Sequence, residues 1–439
     1  MIILPHTPPI PTILQANADS LSPQAISTRT ALSSSAAETY NDLVRYVINA
    51  EEYVEELFQF TSSKANSREL PFMMTFANEH KLLTEDYSPW KDVVFKDDKK
   101  LKFLNKKQPW TLFNEIEVSI IATSLIYIRL GAELVNELIE LEPDSLSSEE
   151  INEKWKQVVT FYKKSISFIQ YGIKINSLNS ENNHLPGSLF ILIEKIGHIN
   201  IQMSTLSKFS WINRNSFNET ESFKSNNNGT LCRVAIYVVD ELKTVKSLIG
   251  DVQENSGFTL SLNSQDWLEY LTLIERYANA YAGLFLSIEL YQQNKLGQAI
   301  GLVNYSLLNL QSKRMGELNP KKSPIVTKLK SKFSTKKNES YIKNLQSITS
   351  LNLNSSSFTD KSGIVLKDIT YVFDQLVQLH LKFTKENDNI VFDTVTNYQD
   401  IHKDNKWPLG SKIPVSDVPD FIPRVFNILA SKSTRSNYY

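Results

Sequence analysis

Apolar side chains recur at three- and four-residue steps along most of this chain, which is the spacing of one face of an α-helix. The pattern is clearest behind Ser147-x-x-Glu150, a capping box that marks a helix start. Ile151, Trp155, Val158, Tyr162, Ile166 and Ile169 follow as one stripe. They predict a helix of roughly 25 residues, against a usual length of ~11. Similar stripes lie near 35–62, 111–141, 188–214, 229–250, 264–293, 296–312 and 364–385. Gly131, inside the 111–141 stripe, weakens that helix unless a neighbour packs closely on it. Long helices joined by short turns predict antiparallel hairpins stacked as an elongated, all-α solenoid. One hairpin is nearly explicit over 277–310. Ala278, Ala280, Ala282 and Gly283 permit close approach, Asn294 to Gly297 turn the chain, and Ala299, Ile300, Val303 and Leu307 begin the return. It is similar to a tetratricopeptide hairpin, although no 34-residue period repeats elsewhere.

The pattern breaks in a few places. Residues 215–229 form a polar insertion. Residues 313–337 hold nine Lys/Arg against one acid, and a Ser/Asn-rich stretch follows at 345–360, so 313–360 reads as one long mobile loop. Its basic run, with Lys321, Lys322, Lys328, Lys330 and Lys332, is either a solvated loop or a weak contact for anionic lipid headgroups. Residues 386–395, ENDNIVFDTV, read as an extended strap docked on the helices, with Ile390, Phe392 and Val395 as its buried side chains. Pro408, Pro414, Pro419 and Pro423 exclude a long helix after it. The domain expectation is a Pro-containing segment over 1–20, one helical domain over 21–426 and a tail over 427–439.

Composition adds exclusions. The chain has 439 residues, 41% hydrophobic and 22% charged, enough for a large core. Its net charge of −1 gives no global attraction to nucleic acid or membrane. A single cysteine, Cys232, rules out a disulfide framework and thiolate zinc sites, and fits a reducing, cytoplasmic compartment. The start, MIILPHTPPIPTIL, lacks a basic stretch and is broken by prolines, making a poor signal peptide. No run of ~18 apolar residues is found, so no span is expected. Phosphate-binding glycine loops, nucleophile elbows and H-E-x-x-H are missing. The six histidines are dispersed, and His198 and His380 read as structural. Cys232, beside Arg233 on a helical stretch, reads as packed rather than reactive. The expectation is no enzyme, no metal and no cofactor.

Three stretches together resemble the BRO domain of the Alix superfamily: EVSIIATSLIYIRLGAEL (117–134), NKLGQAIGLVNYSLLNL (294–310) and KENDNIVFDTV (385–395). Their order over the chain resembles the family's early apolar helix, its G-x-x-I-x-x-L turn and its strap. The tail WPLGSKIPVSDVP (407–419) is similar to that of the PalC-type branch, fungal regulators of the ambient-pH response. The resemblance implies a banana-shaped adaptor without enzymatic activity. Its implied partners are the C-terminal amphipathic helix of the ESCRT-III core filament subunit and a pH-sensor/arrestin-like complex at the plasma membrane. That adaptor would be recruited from the cytoplasm to cortical or endosomal membranes, upstream of proteolytic activation of a PacC-type transcription factor. It also implies a concave apolar patch for the helix, carried here by Trp211, Leu231, Val234 and Ile300, at a groove of the helix-in-groove type. Endosomal cargo sorting and an unrelated tetratricopeptide-like scaffold are the alternatives.

Overall fold

The computed structural model describes residues 1–426 except 6, 15–20, 35–38, 84–87, 97–108, 142–146, 179–184, 214–226, 256, 263–264, 311–362, 398–399 and 401–406. The expected insertion at 215–229, the basic loop and the 427–439 tail therefore lie largely or wholly outside the described residues. The protein is all-α. Its helices are α1 Pro23–Ser33, α2 Tyr40–Ala65, α3 Leu70–Glu79, α4 Leu112–Glu140, α5 Ser148–Ser177, α6 Gly187–Ile212 and α7 Asn228–Glu254. They continue with α8 Gln265–Gln292, α9 Leu296–Asn309 and α10 Gly363–Glu386. From α4 to α9 each helix packs on the next, the arrangement of a solenoid. Then α10 returns against α9, α8 and α4, while α2 packs on α4, α1 on α2, and α3 against both α2 and α4.

Local sequence accounts for the boundaries. Ser147 and Glu150 form the expected capping box at α5, and Thr39 with Asp42 does the same for α2. α4 is apolar nearly all round, so it must be buried on all sides. It is long and apolar enough to cross a membrane, contrary to the expectation of no such run, but 94% of its most apolar window is inside the protein. It is the core helix. Gly131 answers the question its position raised: a methyl there would stand 2.7 Å from the Tyr162 ring of α5. The α8–α9 hairpin forms as predicted, with Asn294 at φ 59° in the turn and the Ser306 side chain filling the space beside Gly283.

Two small antiparallel ribbons were not foreseen. β1 (Lys81–Leu83) pairs with β3 (Trp110–Thr111), and β2 (Val93–Lys96) pairs with β4 (Gly257–Leu260). Strands this short carry too few residues to show alternation.

The N-terminus also departs from expectation. Met1, Ile2, Ile3 and Leu4 are buried in the main core, so the first part of the 1–20 segment belongs to the domain. Asn200 of α6 holds it like a strand partner, accepting from Ile2 N at 2.7 Å and donating to Ile2 O at 2.8 Å. The Trp267 indole donates to Ile3 O at 2.9 Å, and the Tyr270 hydroxyl donates to Met1 O. Backbone groups taken from water need such partners.

Candidate functional site: a C-terminal strap across the helices

After α10 the chain tightens into one π-helical turn, Asn387–Val391, and then runs extended. Asn387 organises the exit. Its backbone carbonyl accepts from Phe392 N at 2.8 Å, its side-chain oxygen accepts from Asp393 N at 2.9 Å, and its amide donates to Asp393 O at 3.0 Å. The Asp393 carboxylate then accepts from the first free amides of α9, Leu296 N at 3.1 Å and Gly297 N at 3.3 Å. An acid at this position also complements the helix dipole. The strap thus begins as a cap for α9.

Beyond it, contact is made by backbone. Thr396 N donates to Gly297 O at 3.1 Å, and a methyl on Gly301 would sit 2.5 Å from Thr396 O. Trp407 meets Tyr305 edge-on at 5.5 Å. Ser411 N donates to Arg233 O at 3.0 Å on α7, and Gly410 crosses that helix so closely that a methyl would lie 2.7 Å from Tyr237 N. On α6, the Gln202 amide reads both backbone groups of Ile413, at 2.9 Å and 3.2 Å. On α5, Phe421 stacks over Phe168 at 4.1 Å and meets Tyr171 at 5.3 Å. Arg424 finally reaches α2, pairing with Glu52 at 2.5 Å and donating its backbone N–H to Glu55 at 2.8 Å. The strap therefore ties five helices together.

Docking was expected, but through the wrong side chains. Ile390 and Phe392 are each 74% exposed and Val395 is 43% exposed. The turn at Asn387 rotates them outward, and the strap is held by Asp393, by glycine-lined crossings and by aromatic residues further on. Phe392 also sits at φ 59°, a conformation that costs a bulky residue and suits glycine. We expect Phe392→Gly to stabilise the protein by about 0.5–1 kcal/mol in chemical denaturation, since strain is relieved and little packing is lost. A loss of stability would mean that the phenyl ring supports the fold.

The expected patch is corrected as well. Trp211, Leu231, Val234 and Ile300 are all buried, at 3%, 1%, 0% and 3% exposure. Trp211 turns inward against Trp155, with ring centres 6.4 Å apart, and its indole donates to Leu141 O at 2.7 Å. Leu231, Val234 and Ile300 lie on the inward faces of α7 and α9. A groove for an amphipathic helix must show apolar side chains to solvent, and these four do not. The half-buried neighbours on α6 are Phe209 and Ile212, which the stripe reading passed over. In α6 apolar residues occur on every side, so sequence alone could not say which face was outermost.

The cysteine and the two helical histidines singled out in the sequence offer no reactive group. Burial pushes the Cys232 thiol up to about 12, which makes it a packing residue and a poor nucleophile. Burial also depresses His380 to about 4, so it stays neutral. His198 is partly exposed, with Glu194 at 4.0 Å and a pKa lowered chiefly by burial. Among the described residues no group of His, Cys, Asp and Glu is placed to hold a metal ion.

Comparison with known proteins gives the family directly. A family model covering residues 110–439, described as a family of unknown function (DUF5355), matches this chain, and the chain belongs to that family. No curated protein matches it in sequence. Among solved structures, it is similar to one described as the structural basis for endosomal targeting by the Bro1 domain. That likeness has a TM-score of 0.48 and 12% identity, over 95% of this chain and 88% of the other. It is also similar to the ALIX BRO1–CHMP4C complex structure, with a TM-score of 0.48 and 13% identity over 96% of each chain.

Proposed function

We propose that this DUF5355 protein is a non-enzymatic adaptor that binds the C-terminal amphipathic helix of the ESCRT-III core filament subunit and serves alkaline-pH signalling of the PalC type. One observation carries the reading. The two most motif-like stretches of the sequence, ENDNIVFD and NKLGQAIG, meet in space, where Asp393 of the first caps the helix begun by the second. The third, residues 117–134, lies within α4, at the centre of the array. Stretches that together resemble one family, and lie far apart in the sequence, are thus parts of one mechanical unit. A rigid array of long helices suits helix docking.

The docking face we assign is the outward side of α6 near Phe209 and Ile212, one helical turn apart and beside the buried Trp211. Apolar anchors at such a site typically contribute ~2 kcal/mol or more, about a thirtyfold change in affinity. In cells, removal of the protein is expected to block processing of the PacC-type factor after a shift to alkaline medium, with endosomal cargo sorting unaffected. Normal processing together with mis-sorted cargo would favour the endosomal alternative.

A further inference from the structure

α4 carries two fully buried carboxyls two residues apart, and their surroundings differ sharply. The charge of Glu115 is matched by Arg29, whose Nε lies at 2.8 Å, and both its oxygens are occupied by further donors. Glu117 has nothing comparable. It is 0% exposed. Its Oε1 accepts one bond from the Asn176 amide at 2.7 Å, and its Oε2 has no hydrogen-bond partner among the described residues. The same Asn176 nitrogen donates to Leu185 O at 3.2 Å, and the Asn176 carbonyl oxygen faces Gly187 at the start of α6. One amide therefore joins the core helix, the end of α5 and the entry to α6, and Glu117 anchors it.

A carboxylate in this place would be a buried charge with one neutral donor. Such a charge costs several kcal/mol, which protonation avoids. Among the described residues no charged group acts on it: burial and the Asn176 bond are the causes of its pKa shift. From α2, Tyr53 is engaged by Glu115, and from α10 the buried His380 is shifted by burial alone. On α5, Lys174 is turned to the surface over the Tyr171 ring. The carboxyl is accordingly raised from 4.5 to about 8, by burial and against the Asn176 bond.

We propose that Glu117 and Asn176 form a proton-dependent latch, closed while the carboxyl is protonated and released at alkaline pH, freeing the α5–α6 end from α4. It rests on the signalling reading only for its biological use, since the latch is a property of the isolated chain. Because the folded pKa is raised, the stabilisation is complete below the ordinary carboxyl value of 4.5 and is lost as pH rises towards about 8.

The test is amide hydrogen exchange of the full-length protein across pH, corrected for intrinsic exchange rates. Protection at the last turn of α5 and the first turn of α6 should fall about tenfold per pH unit between roughly pH 6 and 8. In Glu117→Gln, which keeps the shape and cannot lose a proton, that slope should vanish. Parallel pH profiles in the two proteins would overturn the latch. Should the variant not fold, the carbon-13 titration of Glu117 in the wild-type protein decides instead: a midpoint near 8 supports the latch, and one near the ordinary value refutes it. Either result stands independently of ESCRT-III binding.

Discussion

Glu115→Ala is expected to be the most damaging single substitution in the described chain, costing ~3–5 kcal/mol of stability. The carboxylate collects four side chains. Arg29 Nε and the Tyr53 hydroxyl reach Oε1, both at 2.8 Å, and the Trp90 and Trp110 indoles reach Oε2 at 3.0 Å and 2.8 Å. These partners come from α1, α2 and the two segments before α4. Arg29 also donates to Pro89 O at 2.8 Å and to Thr12 O. Alanine would leave the buried guanidinium with its two carbonyl acceptors but no counter-charge, and would remove the acceptor of three other buried donors, each loss costing ~1–3 kcal/mol. α1, α2 and the segments around Trp90 and Trp110 converge on this carboxylate. Urea denaturation checks the figure, and an unchanged midpoint would show that α1 and α2 are held by apolar packing alone. Glu115→Gln should fall between, because it keeps the shape and loses the ion pair.

The second large effect is expected at Gly301. Valine there would collide with the Thr396 carbonyl, which a bare methyl already meets at 2.5 Å. Either α9 shifts or the strap lifts, and overpacking of this kind costs ~1–3 kcal/mol. The strap is the element that can move, since its ladder to α9 is short. Limited proteolysis of Gly301→Val should cut within residues 393–426 much faster than in the wild-type chain, while α4 to α8 stay intact. Wild-type resistance would mean that the anchors at Ile413 and Phe421 suffice without α9.

Much of this architecture could be read before any coordinates. Seven of the predicted stripes became α2, α4 and α6 to α10, and the capping box became the start of α5. They were legible because apolar residues at helical spacing, in runs of 14 to 30 residues bounded by turn signals, are hard to mistake. What could not be read depends on contacts distant in sequence. Nothing in MIIL says that Asn200 waits for it 198 residues away. Nothing in ENDNIVFD says that Asn387 will rotate Phe392 outward, because that rotation comes from a π-helical turn and a positive φ. The patch failed for a related reason. Trp211 and Phe209 are both aromatic and two positions apart on a helix that is apolar all round, and only packing decides which faces water.

The adaptor reading is tested most directly by titrating the purified full-length chain with the C-terminal helix peptide of the ESCRT-III core filament subunit. Saturable one-to-one binding is predicted, weakened about thirtyfold or more by Phe209→Asp or Ile212→Asp in a protein whose unfolding midpoint is retained. No heat or fluorescence change at peptide concentrations up to about 1 mM, beyond which affinity falls under −4.1 kcal/mol, would contradict the account.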